Sequence, residues 1–134
     1  MKNVSLFIII SILTLFSKTS FCQTNTNIDS LICQEWKLVF YEENGEKFPP
    51  APEQKDSKMI FYLDYKVKSI EPDNIQNGVW KYNLTTKLLS IVDNETAEIA
   101  NMKVLKLTKK EIVLEYNDPD GIPLKMYMES VPGK

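Results

Sequence analysis

The sequence predicts an all-β domain, an eight-stranded antiparallel up-and-down barrel preceded by a short helical turn. Three observations carry this reading. Residues 77–92, NGVWKYNLTTKLLSIV, hold two apolar runs around a polar turn at 83–87, which is the pattern of a β-hairpin. Trp80, Tyr82 and Leu84 fall on one face of its first strand, and Val79 and Lys81 on the other. Runs of the same kind recur along the chain at hairpin spacing, with no helical periodicity of any length among them. Consecutive short connections suit a meander, and a meander removes its exposed edges by closing on itself. The rival is an open two-sheet sandwich, whose crossing connections fit these short turns less well.

The elements follow in order. Lys2, the apolar run over residues 4–16 and the small residues Ser20 and Cys22 ahead of Gln23 read as a signal peptide at residues 1–22. The alternative of a lipoprotein anchored at Cys22 is disfavoured by the bulky Phe21 before it. The domain then covers residues 23–134. Residues 23–27 are a polar lead, and Asp29 or Ser30 caps a helical turn over 31–34. Residues 35–41 alternate as the first strand, with Trp36, Leu38 and Phe40 on one face. Residues 42–57, with Asn44-Gly45 and three prolines, read as a loop. Strands are expected at 58–63 and 66–70 around the Asp64-Tyr65 turn, and residues 71–77 as a turn before the hairpin. After the hairpin comes a polar connection over 93–101. Strands at 101–108, 111–116 and 122–131 complete the set, with Asn117 to Gly121 a strong turn signal between the last two.

Composition excludes several functions. All 16 basic residues are lysine, and there is no arginine or histidine. The commonest general base near neutral pH and the usual bidentate clamp for phosphate are therefore both missing. Removing Lys2 and Lys18 with the leader leaves 14 lysines against 18 carboxylates, a net charge of −4. That balance argues against nucleic acid and anionic membrane surfaces as partners. No stretch after residue 22 is long enough to span a membrane as a helix. Cys33 is the one cysteine left in the domain, so no internal disulfide is expected and the thiol is expected to be buried. Asp118 and Asp120 flank Pro119 but match no complete calcium loop, and read as a turn. No metal, no cofactor and no enzymatic activity are expected.

Ile32-Cys33-Gln34-Glu35-Trp36 followed by Lys37-Leu38, the later Gly78-Val79-Trp80-Lys81-Tyr82, and a lysine-rich turn before residues 111–116 resemble the small lipocalin-like domain proteins exported by Bacteroidetes-type bacteria. The resemblance covers most of residues 23–134 by pattern. It implies an exported, periplasmic or secreted, lipocalin-like barrel that binds small apolar molecules.

One face of each strand then points inward. The candidate ligand-binding residues of the interior are Trp36, Phe40, Phe61, Trp80, Tyr82, Tyr116, Met126 and Met128. Two readings stand side by side. Either these residues wall a cavity of aromatic and thioether character that takes a small hydrophobic ligand, or they fill the core solidly. In the second case the protein is an interaction module of the cell envelope that works through its outer face, with a protein partner the sequence does not name.

Overall fold

The computed structural model describes residues 28–132. The leader, the Cys22 anchor and the polar lead lie outside the described residues. The chain falls into two units, Met1–Ser30 and Leu31–Lys134, and the second carries all nine strands described.

Nine strands follow one another: β1 (Glu35–Glu43), β2 (Glu46–Phe48), β3 (Lys58–Phe61), β4 (Lys66–Glu71), β5 (Asn74–Asn83), β6 (Leu88–Asp93), β7 (Ile99–Leu107), β8 (Glu111–Asn117) and β9 (Pro123–Ser130). Neighbours from β3 to β9 pair in sequence order, β1 pairs with β3 on one side, and β1 pairs with β9 on the other. Eight strands therefore close an antiparallel up-and-down barrel, as the sequence predicts. β2 is a three-residue extra strand on the far end of β1. Among the described residues no helix is long and apolar enough to cross a membrane.

The helical turn occupies residues 28–32, so it comes slightly earlier than expected, and Asp29 and Ser30 lie within it rather than capping it. The loop expected over 42–57 begins as a hairpin. Asn44 (φ 51°) and Gly45 (φ 81°) both adopt the left-handed conformation of a two-residue hairpin turn. The turn expected over 71–77 shrinks to two residues, because β4 runs to Glu71 and β5 begins at Asn74. Asp118 does serve a turn: its Oδ1 accepts from the backbone N–H of Asp120 and of Ile122, each at 2.9 Å. Cys33 is half-buried rather than buried.

One half of the barrel is packed solid. Ile32, Trp36, Leu89, Ile112 and Leu114 are fully enclosed. The Trp36 indole N–H donates to the carbonyl of Ile32 at 2.9 Å, which ties the residue ending the helical turn to the floor of the barrel. Trp80 is buried as well. Its N–H donates to the Tyr62 carbonyl at 3.1 Å, Phe61 meets its ring edge-on at 5.8 Å, and Tyr65 lies against it at 5.0 Å. Each buried indole thus has both its apolar body and its polar N–H satisfied.

Phe40 corrects the simple alternation. The register between β1 and β9 shifts between Leu38 and Phe40. Leu38 still lies opposite Met128, but Phe40 lies opposite Tyr127, and Tyr41 opposite Met126. The extra residue of this bulge reverses the facing of the strand beyond it. Phe40 consequently sits on the outer surface, stacked on Tyr127 at 4.3 Å with the Lys47 ammonium 4.9 Å above its ring. Tyr41 takes the inward place.

Candidate functional site

The other half of the barrel is hollow. Its strands all reach the same end: β1, β4, β6 and β8 finish there, and β3, β5, β7 and β9 start there. A cavity of about 620 Å³ opens at that end. Its walls are apolar, with Met59, Val67, Ile91, Met102 and Met126 contributed by five different strands. Its mouth is polar, ringed by Gln76, Asn77, Asp93, Asn101, Tyr116 and Asn117. The shape is that of a small-molecule site, an apolar chamber with a few polar groups at the entrance.

Gly78 makes the room. It faces inward opposite Val67 and Asp93, and it lines the cavity with a hydrogen where its neighbours have side chains. A Cβ at this position would lie 2.4 Å from the carbonyl oxygen of Val92, so the close approach of β5 to β6 admits only glycine there.

A smaller recess of about 70 Å³ adjoins the chamber and shares Met59, Ser69 and Met126 with it. Leu38, Tyr41, Gln54, Ser57, Lys58, Glu71 and Met128 complete its lining. The Tyr41 hydroxyl donates to Gln54 Oε1 at 3.2 Å and shares a hydrogen bond with the Tyr116 hydroxyl. Burial, aided by the nearby Tyr116 and Glu71, pushes the Tyr41 phenol from its ordinary 10.0 up to about 12. Burial and the charge of Asp118 push Tyr116 upward as well. Both phenols are therefore neutral hydrogen-bonding groups at neutral pH. At the mouth the backbone N–H groups of Thr96 and Glu95 donate to Asp93 Oδ1, at 3.1 and 2.7 Å, and hold its carboxyl below the usual range.

Of the residues expected from the sequence, Tyr116 and Met126 line the chamber and Met128 lines the recess. Trp36, Phe61 and Trp80 belong to the packed half beneath it. Tyr82, half-buried opposite Leu89, lines neither space. Phe40 is outside the barrel. The sequence reading missed Gln76, Asp93 and Glu71 because they are polar residues facing inward, and Asn101 because it reaches the mouth from the outer face, where its Oδ1 accepts from Ser90 Oγ at 2.6 Å. The signal available for the inward residues was period-two continuation of the strands, with Gln76 two residues before Gly78 and Asp93 two after Ile91.

No protein-family model matches the sequence, and no curated protein matches it. The fold is similar to that in the crystal structure of a lipocalin-like protein from Bacteroides uniformis ATCC 8492. The match has a TM-score of 0.58 at 16% sequence identity and covers 75% of this chain and 99% of that one. At that identity the likeness is one of fold, and on it this chain is lipocalin-like in fold: a closed eight-stranded antiparallel barrel led in by one helical turn.

Proposed function

We propose that the protein binds a small, largely apolar molecule in the open half of its barrel. The observation that carries this reading is the chamber of about 620 Å³, walled by methionine and branched side chains. That size lies within the range of about 300–1,000 Å³ usual for small-molecule pockets. Methionine walls adapt to ligands of irregular shape. The reading is one of binding, in which the buried phenols stay protonated and act as hydrogen-bonding groups.

N-phenyl-1-naphthylamine, a neutral probe that brightens in apolar surroundings, is expected to bind with micromolar affinity, corresponding to about 8 kcal/mol. Ala100→Phe places a ring in the chamber and is expected to weaken binding at least about tenfold, or about 1.4 kcal/mol. Phe40→Ala, on the outer surface, is expected to leave it unchanged. The rival reading, a barrel working through its outer face, expects no probe binding, and its observation would displace the proposal.

The same reading places the protein outside the cytoplasm, on the strength of Lys2, the apolar run over 4–16 and the small residues before Gln23. Intact mass of the protein from its native envelope is expected to give a chain starting at Gln23. A diacylglycerol mass on Cys22 would establish the lipoprotein form, and retention of residues 1–22 would overturn both.

A further inference from the structure

We propose that the recess beside the chamber seats the polar end of the bound molecule, and that this end is a hydrogen-bond donor, a primary ammonium on an apolar chain, rather than a carboxylate. The inference rests on reading the chamber as a ligand site and adds the chemical class that enters it. Ser57 lines the recess and is only 9% exposed. Its Oγ is buried with no hydrogen-bond partner among the described residues. A buried hydroxyl left in that state is costly, so a group that bonds it gains more than an ordinary hydrogen bond. Glu71 lines the same recess, and among the described residues it carries no ion pair.

No lysine offsets these acceptors. Lys58 borders the recess, but its ammonium turns to Glu35 on the outer surface at 3.1 Å. Among the described residues no lysine lines the chamber, and Asp93 at its mouth is held ionised. A carboxylate head group in the recess would therefore meet Glu71 with no cation turned toward it, after passing Asp93 at the chamber mouth, in a site where burial strengthens like-charge repulsion. An ammonium offers its donors to Ser57 Oγ, Glu71 and Gln54 together. Size agrees: a water molecule's share of liquid volume is about 30 Å³, so a recess of about 70 Å³ admits a small head group and not a ring.

The test is displacement of N-phenyl-1-naphthylamine at pH 7 by three ligands of equal chain length: decylamine, decanol and decanoate. Decylamine is expected to bind tightest and decanoate weakest, with about tenfold or more between them. Glu71→Gln is expected to weaken decylamine about tenfold while leaving decanol within about twofold. Ser57→Ala, which removes the unpartnered hydroxyl without changing shape, is expected to fold normally and also to weaken decylamine. Equal displacement by all three, or preference for decanoate, would overturn the ammonium assignment while leaving the apolar chamber as a binding site. A preference for decylamine that survives both Glu71→Gln and Ser57→Ala would place the charge recognition elsewhere and overturn it too. Failure of the probe itself to bind would overturn both this inference and the proposed function.

Discussion

Tyr41 shows how much one residue's facing decides. The bulge in β1 turns its ring into the barrel, where burial and the neighbouring Glu71 and Tyr116 raise its phenol to about 12. In the unfolded chain the same group titrates near 10.0. Between these values the native state holds a proton that the unfolded state has lost, so stability falls as pH rises. This contribution is complete below pH 10 and is lost as pH passes through about 12. Urea unfolding of the native sequence and of Tyr41→Phe at a series of pH values from 9 upward is expected to show a shallower alkaline fall in the variant. Parallel slopes would mean that Tyr41 titrates in the folded protein as it does in the unfolded chain. Trp36 illustrates the opposite case, a residue whose place was legible at once. It is wholly enclosed, lies on the expected face, and its N–H reaches a carbonyl four residues back.

The strands differ in how their two halves are used. β5 carries Trp80 in its second half, packed against Phe61 and Tyr65, while its first half turns Gln76 toward the mouth. Gly78 stands between these halves, where the backbones of β5 and β6 come closest. Gly78→Ala is expected to destabilise the protein by about 1–3 kcal/mol, since a Cβ 2.4 Å from the Val92 carbonyl forces the ladder apart. Thermal denaturation would measure it, and a loss below about 0.5 kcal/mol would mean that the β5–β6 approach relaxes freely. The same division explains the boundaries that the sequence placed too late. β5 begins at Asn74 rather than at the apolar run, and β7 begins at Ile99 rather than at Asn101. Both early halves lie beside the chamber mouth, where inward positions are wetted and need no apolar residue.

At the scale of the whole molecule, β1 holds the closure together. It joins β3 at its beginning, β2 at its end and β9 along nearly its full length. This leaves the sheet without a free edge apart from short ends, which limits unwanted strand pairing between molecules. The outer bulge cluster braces the seam between the first and last barrel strands. Phe40 stacks on Tyr127, whose hydroxyl donates to Glu42 Oε2 at 2.8 Å, and Lys125 pairs with Glu42 at 3.7 Å. A barrel of eight strands is narrow enough to be filled by side chains or to hold one small ligand. This one does each in a different half, with Trp36 and Ile32 below and open space above.

The sequence by itself determined the strand count of the barrel, the hairpin order, the helical turn and most of the packed floor. Those features follow from local causes: period-two alternation, turn residues such as Asn117 to Gly121, and large apolar side chains such as Trp36, Phe61 and Trp80 that must be buried. Only the tertiary structure decided where packing stops and the chamber begins. The bulge between Leu38 and Phe40 depends on pairing with β9, 85 residues away between Glu42 and Tyr127, and no local pattern announces it. The cavity is set by Gly78, Ala100 and the inward polar residues Ser69, Gln76 and Asp93. They come from separate strands and share a surface only once the sheet has closed, and a void is a property of the gap between side chains rather than of any one of them.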